Sequence, residues 1–311
     1  MTLEKPCIYN GDTLTATDVT LDSNQADGYG GIQNYGTLTL YSSTLSSNSA
    51  NILGGGIENN GTMTLYHSTL SGNSSNGFGG GFDNSGGGSI TLENSTINGN
   101  SAAGSGSGLY NFGIAALESS TFSGNSADSG GGLYNYGTAT LENSTFSGNS
   151  ADSGGGLYNN DIATLRNVTL SNNSAPQGGA PYIHVGRTTV LTDTILAYSP
   201  SGGNCSGTLT ISKFTISSDN TCALVGNIKG MDPNGLDPLL TALGNYGGPT
   251  KVHMLKLGSP AIDGVVGSDA PSTDQRGSPR PIGASYDIGA VERQLSDADL
   301  LPWVYLPLLR R

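Results

Sequence analysis

The chain has 311 residues, enough for one or two domains with a sizeable core. It contains 49 Gly, only 12 Lys and Arg together, and a formal net charge of −12, so it lacks the basic footprint needed to bind nucleic acid or an anionic membrane surface. No run of 18 apolar residues occurs and the opening MTLEKPCIYN has no apolar stretch, so we expect neither a transmembrane segment nor a signal peptide here.

An internal repeat dominates the first two thirds of the sequence. The unit GGGLYNYGTATLENSTFSGNSADS, starting at Gly130, begins again at Gly154 and occurs in looser form from Gly30 and Gly54. When the units are aligned, apolar residues fall into columns. These are Ile8, Ile32, Ile57, Phe82, Leu109, Leu133, Leu157 and Tyr182; Ala16, Leu40, Leu65, Leu92, Leu117, Leu141, Leu165 and Val190; and Leu21, Leu45, Leu70, Ile97, Phe122, Phe146, Leu170 and Ile195.

Asparagine forms two further columns. They are Asn10, Asn34, Asn59, Asn84, Asn111, Asn135 and Asn159, followed by His184; and Asn24, Asn48, Asn73, Asn100, Asn125, Asn149 and Asn173. Apolar and polar residues alternate between these columns, which indicates short strands separated by Gly and Asn turns. No single unit can bury its own apolar residues, whereas stacked units build one continuous core. We therefore predict an all-β, right-handed parallel β-helix of about nine regular coils, with Asn side chains in inward amide ladders.

The predicted organisation has three parts. Residues 1–226 form the regular coils; GTLTI at Gly207 to Ile211 starts the ninth, and Cys205 and Cys222 are placed to bridge its ends. Pro and Asp appear from about Asn227, so residues 227–293 are interpreted as degenerate terminal coils and a cap, because the open end of a solenoid exposes apolar surface and unpaired backbone. Residues 294–311 form an apolar tail.

Two stretches resemble known families. The unit GGGLYNYGTATLENSTFSGNSA resembles the polymorphic outer-membrane-protein and pectate-lyase-like β-helix repeats of bacterial surface proteins. DPLLTALGNYGGPTKVHMLKLGSPAID and TDQRGSPRPIGASYDIGAVE are similar to the choice-of-anchor Q module, and VYLPLLRR is similar to C-terminal ends of exported proteins of Chloroflexi-type bacteria. The resemblance implies a secreted or surface-attached bacterial β-helix; it does not imply one activity, since such proteins include polysaccharide-cleaving enzymes, adhesins and stalks.

Outward columns are where function can be encoded. An aromatic strip suits stacking on sugar rings, or the tyrosines simply favour strands and stack on their neighbours. A carboxylate column could hold Ca²⁺, although a solvated face is the simpler interpretation. A threonine strip suggests ice binding, but Ile114 and Ala116 interrupt the neighbouring register. The aromatic strip comprises Tyr110, Phe112, Tyr134, Tyr136 and Tyr158; the carboxylate column comprises Glu93, Glu118 and Glu142; and the threonine strip comprises Thr44, Thr69, Thr96, Thr121, Thr145 and Thr169.

Glu58 and Asp83 share one outward column on successive coils. Their expected separation of about 5 Å would suit a retaining glycosidase pair. No loop insertion near them builds a cleft, and no zinc spacing, P-loop or nucleophile elbow occurs, so we expect no cofactor and no catalysis. Polysaccharide binding or cleavage, through a lyase or glycosidase reaction, remains the alternative.

The sequence thus favours a non-catalytic structural β-helix: a stalk, an adhesin or a filament subunit. The first coil has no evident cap, and an open edge invites an added strand. We expect head-to-tail self-association, with the apolar tail of one copy packing across the first coil of another. The residues proposed for assembly are Cys7 and Ile8 in the first coil, and Trp303, Val304, Tyr305, Leu306 and Leu308 in the tail.

Overall fold

The computed structural model describes residues 6–224, 235–265 and 270–294. Within these residues the regular elements are all strands, and they form four parallel sheets stacked as a β-solenoid. Sheets I, II and III run along the solenoid, and the short sheet IV lines the first four coils. The described residues contain no helix long and apolar enough to cross a membrane.

Each of the first eight coils contributes one strand to each long sheet, and the ninth adds a strand to sheets II and III. Sheet I comprises Ile8–Asn10, Ile32–Asn34, Ile57–Asn59, Phe82–Asn84, Leu109–Asn111, Leu133–Asn135, Leu157–Asn159 and Pro181–Ile183. Sheet II comprises Thr13–Thr17, Thr37–Tyr41, Thr62–Tyr66, Ser89–Glu93, Ile114–Glu118, Thr138–Glu142, Ile162–Arg166, Thr188–Thr192 and Ile211–Lys213. Sheet III comprises Thr20–Asp22, Thr44–Ser46, Thr69–Ser71, Thr96–Asn98, Thr121–Ser123, Thr145–Ser147, Thr169–Ser171, Ile195–Ala197 and Ile216–Ser217. Sheet IV comprises Gln25–Ala26, Ser49–Ala50, Ser74–Ser75 and Ser101–Ala102.

The register places like residues on like residues. Leu65 pairs with Leu40 on one side and Leu92 on the other, and all three side chains are 2 % exposed or less. Alternation along each strand sends one set of side chains into the core and the other to the surface. The predicted columns therefore merge into one core that runs along the coils.

Both asparagine columns are amide ladders. In the first, Asn34 Nδ2 donates to Asn59 Oδ1 at 2.7 Å, and in the second Asn125 Nδ2 donates to Asn149 Oδ1 at 2.9 Å. The same nitrogens also donate to backbone carbonyl oxygens, as Asn125 Nδ2 does to Ile97 O at 3.1 Å. These bonds satisfy polar groups that the coil corners bury.

The corner between sheets II and III requires a left-handed backbone in every complete coil. Its residues, all with φ between 46° and 54°, are Asp18, Ser42, His67, Asn94, Ser119, Asn143, Asn167 and Asp193. Asn and Asp tolerate this conformation better than most residues, and small Ser fits beside them. The column is thus a structural requirement of the coil, and His67 occupies it as a corner residue.

The eighth coil is displaced by one residue from the predicted columns. Ala180 follows Gly178 and Gly179 in place of a third glycine, and Leu157 pairs with Pro181. Tyr182 therefore points outward beside Tyr158, and the exposed His184 lies beyond the asparagine column, which Ile183 continues instead. Later in the coil, inward positions belong to Leu191 and Leu196, so the predicted inward positions of Val190 and Ile195 are wrong.

The ninth coil is partial but closed. Its strands Ile211–Lys213 and Ile216–Ser217 pair with the eighth coil, and Cys205 and Cys222 form a disulfide. Both cysteines and Leu224 belong to the main core cluster. This end of the solenoid is therefore covered by the disulfide loop.

The segment after the ninth coil adds no described strand to the solenoid sheets. Its bridges, Leu240 with Leu255 and Val265 with Tyr286, are antiparallel, and it lies along the outer face of sheet III. Outward Ile195 packs there in a second core cluster with residues such as Ala261 and Ile288. The described residues of 227–293 thus form a lateral brace instead of the expected degenerate coils; most of the tail, 295–311, lies outside the described residues.

Candidate functional site

The outer face of sheet I carries the most distinctive surface column. From the first coil to the eighth it comprises Tyr9, Gln33, Glu58, Asp83, Tyr110, Tyr134, Tyr158 and Tyr182. The column therefore joins the predicted acidic pair directly to the predicted aromatic strip. Sequence alignment missed Tyr182 because it placed this residue in the core.

The tyrosines form a ladder of parallel rings. Centroids lie 5.2 Å apart between Tyr110 and Tyr134, 4.8 Å between Tyr134 and Tyr158, and 4.7 Å between Tyr158 and Tyr182. These values match the spacing of paired strands, about 4.8 Å, so each ring lies over the next. Sugar stacking needs a free ring face, and inside the ladder each face is covered by a neighbouring ring. The stack is therefore better suited to stabilising the coils than to binding sugar.

Phe112 and Tyr136 form a second stack beside the ladder. Their centroids are 4.5 Å apart, and the rings are inclined by only 7°. In the coil below, the position equivalent to Phe112 is held by Ser85, which has no ring. The ring of Phe112, 44 % exposed, thus ends its stack with one face toward the coil that carries Asp83.

The acidic pair is buried. Glu58 and Asp83 are register partners on adjacent strands, with side chains 3 % and 0 % exposed. Asn60 Nδ2 donates to Glu58 Oε1 and Ser85 Oγ donates to Asp83 Oδ1, while Glu58 Oε2 and Asp83 Oδ2 have no hydrogen-bond partner among the described residues. Burial raises the pKa of Glu58, and burial together with the charge of Glu58 raises the pKa of Asp83 to about 7.

This burial limits what the pair can catalyse. A glycosidase pair must reach both sides of a glycosidic bond, and here neither carboxyl group is exposed to solvent. Cross-strand pairing does bring the two side chains close, as the sequence analysis expected. Their geometry does not favour hydrolysis of a polymer.

A small pocket opens beside Asp83. It has a volume of about 280 Å³ and is lined by Asp83, Leu53, Phe78, Tyr110 and Phe112, with the Ser85–Gly86 turn at one side. Leu53 and Phe78 come from the corner before sheet I, where successive coils pair as Tyr29 with Leu53 and Leu53 with Phe78. The ring of Phe78 stacks on Tyr110 with centroids 4.8 Å apart. The periodic columns of the sequence do not predict this pocket, because part of its wall comes from a corner segment that lies outside them.

The carboxylate column of sheet II is a surface feature. Glu118 pairs with Glu93 and Glu142, and burial, with the charges of these neighbours, raises its pKa. Arg166 NH1 lies 3.6 Å from Glu142 Oε2 and ends the column. Among the described residues no group of three or more His, Cys, Asp or Glu side chains could hold a metal ion, so the geometry does not favour the calcium candidate.

The threonine strip of sheet III is interrupted by the lateral brace. Thr121, Thr145 and Thr169 are buried beneath it, 2 % exposed or less. Thr121 Oγ1 donates to Lys251 O at 2.7 Å, and Ala290 N donates to Thr169 Oγ1 at 3.1 Å. A flat ice-binding face needs these hydroxyls at the surface, so the arrangement does not favour that function.

Two clusters in the brace were missed from sequence. His253 is 2 % exposed; its Nδ1 lies 2.8 Å from Thr241 O and its Nε2 lies 2.9 Å from Ser147 Oγ, and burial lowers its pKa. Arg280, buried near Asp287 and Glu292, donates to Asp287 O and Gly289 O. The contacts made by these side chains are structural, because they tie the brace to itself and to sheet III.

The assembly candidates occupy different parts of the chain. Cys7 is an exposed free thiol, and Ile8 is half-buried in the first strand of sheet I. Trp303, Val304, Tyr305, Leu306 and Leu308 lie outside the described residues.

Two segments of the chain match a known repeat family. Residues 119–136 and 143–160 match the model of the Chlamydia polymorphic membrane protein (Chlamydia_PMP) repeat. Neither the curated proteins nor the solved structures contain a match. The repeat match and the solenoid fit a β-helix repeat protein, and the match points to a surface-associated one.

Proposed function

We propose that this chain is a non-catalytic, surface-associated β-helix that acts as a rigid extracellular stalk or adhesin arm and associates head to tail. The repeating outward face of the later coils carries the proposal: tyrosine rings stack from the fifth coil to the eighth, and ring faces inside the stack are covered by other rings. The match to a polymorphic membrane protein repeat supports a location at the bacterial cell surface.

The first coil supports the head-to-tail contact. Leu14 and Leu21 are only half-buried, whereas their partners Leu38 and Leu45 are 0 % exposed. No described strand pairs with the outer edge of this coil. Such an edge presents both apolar surface and unpaired backbone groups to another chain.

One amide tests the contact directly. Asp18 N donates to Tyr41 O, and amides alternate in direction along a strand, so the N–H of Thr15 points to the open edge. Thr15→Pro removes this donor and keeps the inner bonds, since proline is tolerated on edge strands. Thr15→Val, which retains the N–H, is the matched control.

We expect the full chain and Thr15→Val to form end-to-end oligomers in electron micrographs and in sedimentation velocity. Thr15→Pro and a chain lacking residues 295–311 should remain monomeric. If a chain without the tail polymerises normally, the tail is not needed for assembly. A full chain that stays monomeric at high concentration would overturn self-association altogether, and release of reducing sugar or unsaturated product from a polysaccharide would contradict the non-catalytic assignment.

A further inference from the structure

The pocket beside Asp83 combines one carboxyl group with three aromatic rings. Phe78 and Tyr110 are stacked, and the ring of Phe112 is inclined by 34° to that of Tyr110 with centroids 5.4 Å apart. Leu53 completes the apolar wall. Further along the outer face of sheet I, the rings of Tyr134, Tyr158 and Tyr182 stack directly on one another.

The carboxyl group of Asp83 is only partly compensated by the side chains around it. Asp83 is 0 % exposed, Ser85 Oγ donates to its Oδ1, and its Oδ2 has no hydrogen-bond partner among the described residues. A buried acceptor without a partner is costly, and a cation placed near it would offset that cost. The pairing of Asp83 with Glu58 adds a second carboxyl group one strand away and increases the attraction for a cation.

The chemistry of the pocket wall determines which kind of cation fits. A hydrated metal ion needs several oxygen ligands, which this largely apolar wall does not supply. A sugar needs several hydrogen-bonding groups around its ring, and the wall offers few. An alkylated ammonium group has an apolar surface and a diffuse positive charge, and an aromatic ring attracts it through an uncovered face, which Phe112 offers toward the coil of Asp83.

We propose that this pocket binds a quaternary or alkylated ammonium head group, with the uncovered face of the Phe112 ring against its methyl groups, Leu53, Phe78 and Tyr110 completing the apolar wall, and the Asp83 carboxylate balancing its charge. The site lies in a recess between the fourth and fifth coils and uses none of the first-coil residues. It is independent of the stalk and filament function proposed above.

Choline and its neutral isostere 3,3-dimethylbutan-1-ol test the proposal in calorimetric titrations of the full chain at pH 8. Choline should bind saturably, and the isostere at least tenfold more weakly. Equal binding of the two would show that charge plays no part and would overturn the proposal, as would the absence of saturable choline binding. Saturable binding of a methyl glucoside in place of choline would assign the pocket to sugar instead.

Matched variants separate the contributions of the pocket. Asp83→Asn should lower choline affinity at least tenfold, and Phe112→Leu should lower it several-fold while keeping the wall apolar. Asp152→Asn removes an exposed carboxylate on a distant corner and should leave affinity unchanged. Unchanged affinity in Asp83→Asn, with folding intact by circular dichroism, contradicts the proposal.

Two further measurements define the ligand. The groups that titrate around Asp83 are Glu58 on the strand below, Tyr110 on the strand above and Tyr29 at the corner. Binding requires the carboxylate, so choline affinity should fall about tenfold per pH unit below about 7; a flat profile between pH 5 and 8 would count against the site. Sedimentation with phosphatidylcholine vesicles then distinguishes a lipid head group from a free cation, because only the first predicts co-sedimentation.

Discussion

At the residue scale, the most unusual group is the carboxyl of Asp83. Side chains at its position in most other coils are tyrosines, which fit a ladder because their rings stack. Asp83 instead occupies a buried site next to Glu58, which makes its ionised form costly. A periodic surface would not need such a group, and for this reason we assign a ligand to its pocket.

The raised pKa of Asp83 predicts a pH-dependent stability. The pKa is about 7 in the folded chain against 3.8 as its ordinary value, so the folded state holds the proton more tightly. Its contribution is therefore fully present below pH ~4 and is lost as the pH rises through ~7, by up to about 4 kcal/mol. Asp83→Asn should unfold at higher urea concentration than the wild type at pH 8, and the difference should disappear at pH 4.

Asp152→Asn is the control for this measurement, because its carboxyl group is exposed. Its urea midpoint should follow the wild type at both pH values. If Asp83→Asn also follows the wild type at pH 8, the carboxyl group is ionised at no cost, and its burial has been overcome by solvent or by a bound cation.

At the scale of the element, the amide ladders connect successive coils through side chains, from the first coil to the seventh. Asn149 accepts from Asn125 N and Nδ2, and its own Nδ2 donates to Asn173 Oδ1 at 2.9 Å and to Phe122 O at 3.0 Å. It is 0 % exposed, so water cannot replace these bonds. The ladder is thus a buried polar network in which every described member between its ends has partners.

We predict that Asn149→Ala lowers the free energy of unfolding by roughly 3 kcal/mol or more, because it leaves several buried polar groups unpaired. Asn24→Ala, at the half-buried end of the same ladder, should cost less than about 1 kcal/mol since water reaches it. Urea unfolding followed by circular dichroism gives both values. Equal losses at the two positions would show that position in the ladder has no influence.

At the scale of the whole molecule, the solenoid and its brace form one structure. Buried Gln275 joins them: its Nε2 donates to Thr121 Oγ1 and to Thr250 Oγ1, each at 2.9 Å, and its Oε1 accepts from Thr145 Oγ1 at 2.6 Å. One amide thus serves two coils and the brace. The described part of the brace covers the outer face of sheet III from the fifth coil to the eighth.

Gln275→Leu should release the brace without unfolding the coils. The substitution leaves the hydroxyl of Thr145 buried without its acceptor, at a cost of about 1–3 kcal/mol, and removes one of the two hydrogen bonds of the Thr121 hydroxyl. Hydrogen exchange should quicken in the hairpin around Val252 and remain slow in the coil strands. Gln25→Leu, at an exposed position of sheet IV, should leave the hydrogen-exchange rates of both the brace and the coils unchanged. If Gln275→Leu speeds exchange equally in coils and brace, the two unfold together.

The inward half of the fold was predictable from sequence. The columns of Leu65 and Leu92, and the ladder of Asn125 and Asn149, are confirmed because inward positions obey a period that stacking imposes on every coil. The alignment was wrong in the eighth coil, where Ala180 stands in for a glycine and the outward stack takes Tyr182. Periodicity does not locate this one-residue shift of register, since either Pro181 or Tyr182 could occupy the first inward position of the strand.

The sequence by itself determined the solenoid, its core columns and the cross-strand neighbours Glu58 and Asp83, because each depends on spacing between successive coils. Only the tertiary structure decided which outward residues are covered. The brace meets sheet III through residues such as Thr145 and Gln275, 130 positions apart, and the wall of the Asp83 pocket comes from the corner residue Phe78. Such contacts depend on shape and burial at a distance along the chain, which a repeating pattern does not encode.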